Sequence, residues 1–324
     1  MRGRAVGRPR RPLLLIVGVV YAAVTAVTTL LWWLDLGGWL LLPFDLLAFW
    51  WPLPALPLAL LAARRRDRPA VSLLLVPVGF WIVVHGGLFL PRGTGPEPTL
   101  TVASLNVLAS SDSVEQVAAL VEAHEPDVLL LEEVFPSRMA ALRERLAATH
   151  PHARLSESRT VGGVALFSRR PIERVIEVAR PHQRARGTFV AIVDGVQYVP
   201  VHLTSPCPTC GDSLAARLAG EDAAREAEMR AILEALDPTL PAVVGGDFNS
   251  TARGDPYRLL VEAGFRDVHR ERGWGPGFTW STRLPFELLR IDWILARGLE
   301  PASATVGPAG ISDHRPVIVG FIAE

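Results

Sequence analysis

Hydrophobic positions fall into long uncharged runs before residue 91 and into short runs broken by turns after it. Leu13–Leu34 carries no charge and is long enough to cross ~30 Å of hydrocarbon as a helix. Gly38–Ala63 is a second run, interrupted by Asp45 and by Pro43, Pro52, Pro54 and Pro57. Ala70–Leu90 is a third, containing Pro77 and His85. Three transmembrane helices are therefore expected over residues 1–90. The second is weakened by its prolines and has a re-entrant or interfacial path as its alternative. A cleaved signal peptide fits less well, because the first run is too long and two more follow without a small-residue cleavage pattern. Residues 91–98 (PRGTGPEP) read as a linker.

From residue 99 to 324 the pattern changes to strands and helices that alternate. Leu100–Leu108, Asp127–Val134, Val161–Ser168 and Val175–Val178 read as strands. Thr188–Val193 and Gln197–Leu203 read as a hairpin around Asp194-Gly195. Val243–Val244 leads into a Gly-Gly break, and Arg290–Leu295 and the end of Ile311–Val319 are further strands. Ser113–His124, Pro136–His150, Ser213–Leu236 and Asp255–Ala263 have helical spacing. Such a chain builds an α/β domain with one sizeable core.

Charge adds an orientation to this picture. Residues 1–68 hold nine Arg against Asp35, Asp45 and Asp67, a net of +6, in a chain of zero formal net charge. The Arg residues cluster before the first run (Arg2, Arg4, Arg8, Arg10, Arg11) and between the second and third (Arg64, Arg65, Arg66, Arg68). Both clusters belong in the cytoplasm, and with three crossings the domain after residue 90 lies outside it. Asp45 and His85 then fall near the outer ends of their helices, as residues of the head-group region or as a polar pair reaching toward a lipid. The remaining chain nets −6, which disfavours a non-specific nucleic-acid binder. Mean hydropathy is +0.27, in line with a membrane anchor. The two cysteines, Cys207 and Cys210, could be a redox pair, half a metal site or a small-loop disulfide. An extracytoplasmic position favours the disulfide.

Candidate chemistry sits at the ends of the short runs. VVGGDFNS places Asp247 and Asn249 just past a strand, as a turn or as a site. Asn106 near the end of a strand wants a reason. Glu132 and Glu133 close the next strand, and alternation lets one of them enter a site and leaves the other in solvent. His202 lies in an apolar run, where a lone His is more often a core residue than a catalyst. Asp292 inside RIDWIL is costly unless paired. Asp313 and His314 precede the last strand.

Each motif is weak singly, but SLNV, LLEEV, VHLTS, GGDFNS, RIDWIL and SDHRPV follow one another from Ser104 to Val317. In this order they resemble the endonuclease/exonuclease/phosphatase superfamily (DNase I-like fold). The resemblance implies a four-layer α/β sandwich, two packed mixed β-sheets flanked by helices. It also implies hydrolysis of a phosphate ester assisted by Mg²⁺ or Mn²⁺. Glu133 matches the principal metal ligand, with Asn106 and Asp313 completing or supporting the shell. By the same match, Asp247 orients or deprotonates the attacking water, and Asn249 holds a phosphate oxygen. His314, paired with Asp292, contacts the phosphoryl group, and His202 is a candidate general acid near the leaving group. Phe278, Thr279 and Trp280 resemble the family's site-wall segment.

The anchor narrows the substrate. Three helices and an outward domain resemble a bacterial membrane-anchored subgroup that includes proteins linked to glycopeptide resistance (VanJ-like). This similarity implies an envelope lipid head group, such as a polyprenyl pyrophosphate, met at high effective concentration. An extracytoplasmic nuclease acting on DNA is the second expectation. A non-catalytic binding domain is the third.

Overall fold

The computed structural model describes residues 12–34, 36, 38–93, 95–109, 113–156, 162–205 and 213–322. It divides into two compact units, Met1–Gly87 and Leu88–Glu324. The expected Cys207–Cys210 pair lies outside the described residues.

The first unit is helical: α1 (Pro12–Trp33), α2 (Leu42–Leu46), α3 (Ala55–Arg64) and α4 (Arg68–His85). Among the described residues two helices, not three, are long and apolar enough to cross a membrane. The middle run fails as a single helix because Pro52 and Pro54 fall in the turns between α2 and α3. That leaves α3 with ten residues, about 15 Å. The path of the chain is nevertheless defined. Gly18 of α1 lies against Leu73 of α4, and Trp32 meets Phe80 at 5.8 Å, so α1 and α4 run parallel. Between them the chain retraces α4. The carbonyls of Ala48 and Phe49 take His85 Nε2 (3.3 Å) and Trp81 Nε1 (2.9 Å) at one end. At the other end Ala55, Ala59 and Ala62 pack with Ala70 and Leu74. Asp67 caps α4 by accepting from Ala70 N. Asp45 accepts from Trp32 Nε1 at 2.7 Å.

The second unit holds twelve strands among its described residues: β1 (Leu100–Asn106), β2 (Val128–Val134), β3 (His152–Leu155), β4 (Gly163–Ser168), β5 (Arg174–Glu177), β6 (Phe189–Val193), β7 (Val196–His202), β8 (Ala242–Asp247), β9 (Arg266–Asp267), β10 (Asp292–Arg297), β11 (Glu300–Val306) and β12 (Val317–Ile322). They form two six-stranded sheets, β11-β12-β1-β2-β4-β3 and β5-β6-β7-β8-β10-β9. Each sheet has one parallel pair at its centre, β1 with β2 and β7 with β8, flanked by antiparallel neighbours.

Period-two alternation decides what each face buries. Val102, Val128, Leu130, Val317 and Val319 of one sheet pack against Phe189, Tyr198, Val243 and Ile294 of the other. The opposite face of the first sheet (Leu105, Leu129, Leu131, Phe167) is covered by α5 (Val114–His124) and α6 (Pro136–Leu146). That of the second (Val199, Val201, Val244, Leu295) is covered by α7 (Leu214–Ala235) and α8 (Asp255–Glu262). The result is helix, sheet, sheet, helix. A short α9 (Val268–Arg272) follows β9.

Candidate active site

The central parallel strands of both sheets end on the same side. Register puts Asn106 beside Glu132 in one sheet, and Asp247 beside both His202 and Asp292 in the other. Asp292 opens its strand, but that strand is antiparallel to β8, so it reaches the same edge. His314 arrives on the turn before β12, itself antiparallel to β1. Six chain segments from both sheets thus converge on one seam.

Asp247 is the hub. Its Oδ2 accepts from Asn106 Nδ2 (3.1 Å) and Asn249 Nδ2 (3.2 Å), and its Oδ1 accepts from Asn249 N (2.8 Å). His202 Nε2 lies 3.5 Å from that Oδ2, and His314 Nε2 lies 3.9 Å from it. Burial pushes the Asp247 carboxyl up, and the His314 charge opposes the shift. Asn249 holds a left-handed backbone (φ +49°) and also donates to Leu203 O at 3.1 Å. That conformation aims both its backbone N–H and its amide at Asp247.

His314 Nδ1 sits 2.9 and 3.0 Å from the two oxygens of Asp292, which fixes the proton on that nitrogen. Burial works against a charged imidazole, but Asp292 and Asp247 outweigh it and push His314 up to about 10. It is therefore an imidazolium at neutral pH. Ser312 Oγ clamps this turn, donating to Asn106 O (2.6 Å) and accepting from His314 N (3.1 Å). Thr279 is buried and braces Asp292, its Oγ1 accepting from Asp292 N at 3.3 Å. Trp280 bridges to Leu289 and His314 through the backbone.

Glu133 points to the seam. Its Oε1 accepts from Asn106 Nδ2 (3.3 Å) and lies 3.8 Å from His202 Nε2, and its Oε2 accepts from Ala109 N (2.7 Å). Glu132 departs from expectation: it is buried, not solvated. The cause is local. Glu133 has φ +62° and the β2–β4 register slips between Leu131 and Val134, so simple alternation ends at this position. Glu132 stays between the sheets, where Ser104 Oγ donates to it at 3.2 Å. Burial raises its pKa well above the usual carboxylate range, and Asp292 and Asp247 add to the rise. Gly246, at φ +142°, leaves room for it: a Cβ there would lie 2.8 Å from Glu132 Oε1 and 2.0 Å from Val201 O.

Arg186 escapes the sequence pattern altogether. It stands in the loop before β6, donates to Leu203 O (3.2 Å) and Ser205 Oγ (2.8 Å), and touches His202 Nε2. Asp247, Glu133 and Glu228 all attract it, although burial lowers its pKa. His202 is buried between Arg186 and His314, and burial plus these two cations lower it well below the ordinary imidazole range. It is a neutral ring at pH 7, which does not suit the expected role of protonated general acid.

A metal ion has two donor sets to choose from. By spacing, Asp247, Asp292 and His314 can hold one, with ligand atoms within 4.8 Å of one another. However, His314 is charged and already paired, so it offers no lone pair. Asp313 Oδ1 is a buried carboxylate oxygen with no hydrogen-bond partner among the described residues. Glu133 and Asp313, matched to metal positions by the sequence motifs, carry the carboxylate oxygens that a hard cation prefers. Asn106 turns its Nδ2 to both carboxylates and its Oδ1 to Leu108 N (3.0 Å), so it orients ligands without presenting an oxygen of its own.

Residues 103–314 match the sequence model described as "Endonuclease/Exonuclease/phosphatase family". No curated protein matches the chain. Among solved structures, an endonuclease/exonuclease/phosphatase family protein from Leptotrichia buccalis shares 17% identity at TM-score 0.56. It covers 69% of this chain and 100% of its own. A 3′ phosphatase from Neisseria bound to product DNA hairpin shares 22% at TM-score 0.55, with the same coverages of 69% and 100%. An AP endonuclease from Archaeoglobus fulgidus shares 21% at TM-score 0.55, again covering 69% and 100%. At these identities the likeness is one of fold.

Proposed function

Since the chain belongs to the endonuclease/exonuclease/phosphatase family, we propose that it is a membrane-anchored, divalent-metal-dependent phosphoesterase of the cell envelope. Its substrate is a phosphate ester or pyrophosphate on a lipid head group, a polyprenyl pyrophosphate being the type. The observation that carries the hydrolytic reading is the convergence of Asn106, Glu133, His202, Asp247, Asn249, Asp292 and His314 on one seam.

In this reading Asp247, its basicity raised by burial, takes the proton of the attacking water. Asn249 and the His314 imidazolium hold phosphoryl oxygens, and Asp292 keeps His314 charged and oriented. His202, a neutral ring, positions the leaving side together with Arg186. Glu133 and Asp313 would hold Mg²⁺ or Mn²⁺, which would supply charge neutralisation on the phosphoryl oxygens. The reaction is water attack at phosphorus with departure of the leaving oxygen. A protein nucleophile is not required.

The membrane half of the proposal rests on the helical unit. In this reading, parallel α1 and α4 and the chain that retraces α4 support an odd number of crossings, the middle one broken. With the Arg clusters at residues 2–11 and 64–68 in the cytoplasm, the second unit lies outside it. The similar structures with nuclease names support a second reading, an extracytoplasmic DNA phosphodiesterase.

Intact protein in lipid nanodiscs, given prenyl pyrophosphate and plasmid DNA in parallel with Mg²⁺ or with chelator, separates the two. Phosphate release from the lipid that chelator abolishes is expected. DNA cleavage without phosphate release would sink the lipid reading. Hydrolysis unchanged in Asp247→Asn would remove this site as its source, and no hydrolysis of any substrate by the wild type would leave a binding domain.

A further inference from the structure

A patch of the second unit is built outward from Trp274, which is 69% exposed. The loop that carries it is pinned. Gly273 and Gly277 lie so close to the buried His269 ring that a Cβ on either would stand within 2.6 Å of it. His269 Nε2 meets Gly275 O at 3.2 Å, and Gly275 N donates to Leu88 O at 2.8 Å. The tryptophan is thus held in solvent by a rigid support. Its ring meets Phe89 edge-on at 5.8 Å, and Leu90 beside it is 59% exposed. Two exposed arginines share this side, since Arg92 Nη2 donates to Arg270 O at 3.0 Å. Neighbouring Arg266 and Arg272 are neutralised by Glu271 and Glu300, whereas Arg270 has no acidic partner among the described residues.

Exposed tryptophan with phenylalanine, leucine and arginine is the composition of a membrane–water interface. Chain length says which surface is in reach. Leu90 follows His85, the last residue of α4, by five residues, at most about 17 Å of chain. We propose that the face bearing Phe89, Leu90, Trp274, Arg92 and Arg270 rests on the head-group layer of the bilayer that α4 crosses. Trp274 enters the interface, and the arginines meet lipid phosphates. This footing rests on the reading of α4 as a transmembrane helix. It gives the second unit a fixed tilt over the membrane, as opposed to a free swing on its linker.

The test uses intact protein in nanodiscs of zwitterionic and anionic lipid, some brominated near the glycerol end of their chains. Resistance to alkaline extraction first establishes the anchor on its own, and protein that washes off fails that reading without touching Trp274. The emission of wild type minus that of Trp274→Phe isolates the one ring. Bromolipid is expected to quench this difference by about half or more. Trp274→Ser is expected to lower turnover of bilayer-borne prenyl pyrophosphate about five-fold through KM, leaving a soluble nitrophenyl phosphodiester unaffected. An anchored protein whose difference emission is indifferent to bromine overturns the footing. So does a Trp274-dependent cross-link between two copies.

Discussion

Asp247 shows how one carboxylate can be asked to do several things. Two amides, one backbone N–H and two imidazoles surround it. Replacing it by Asn keeps the shape and removes the base, so Asp247→Asn is expected to cut kcat by about 10³ or more while the melting temperature holds or rises slightly. Calorimetry beside single-turnover kinetics reads both quantities. Arg186 works differently, as a fixed charge at the rim of the site. Arg186→Gln should lower kcat/KM roughly ten-fold, with Arg186→Lys recovering part of it, because Lys keeps the charge but loses the fork. Equal activity of all three proteins would remove Arg186 from the site. The two residues also differ in how far sequence reveals them. Asp247 follows a strand and a Gly-Gly break and is found by pattern. Arg186 lies in a loop of residues 180–188 that already holds Arg180 and Arg184, and no periodicity distinguishes one arginine from the next.

At the scale of elements, the departures from expectation have local backbone causes. With Glu133 matched to the metal ligand, strand alternation leaves Glu132 to solvent, and a left-handed residue at Glu133 buries it instead. Short edge strands β3, β9 and β11 carry too few residues or too little apolar pattern to announce themselves, since β3 is partly exposed throughout and β11 begins Glu-Pro. Proline breaks the middle apolar run as its chemistry requires. Gly246 is a tight element junction: Gly246→Ala should destabilise the fold by roughly 3 kcal/mol, because the new Cβ falls on Val201 O at an unfavourable φ. Urea unfolding in detergent measures it. The loop around His269 has its own pH signature. Burial, then Arg290, lower His269 to about 4, below its unfolded value near 6.5. The unfolded chain therefore binds the extra proton first, and the stability from the neutral ring is complete above pH ~6.5 and fades as pH falls toward 4. At pH 5 the loss is about 2 kcal/mol. His269→Phe should flatten that part of the stability–pH curve, and an unchanged slope would contradict the assignment.

For the whole molecule, the order of motifs made the domain readable, because each lies at a strand end and strand ends are what pattern finds best. The packing of two sheets was implied by family resemblance; periodicity alone shows only which faces are apolar. The topology makes one further prediction. If the second unit is extracytoplasmic, Cys207 and Cys210 are oxidised, and denatured unreduced protein will show no titratable thiol. Two free thiols would count against that location. The site's position on the seam has a last consequence. One sheet supplies Asn106, Glu133 and the turn of His314, while the other supplies His202, Asp247 and Asp292. Neither half is a weaker enzyme; each is no enzyme at all. Hydrolysis thus behaves as a coincidence signal that both halves have folded and mated. A chain caught half-made stays silent toward every substrate around it.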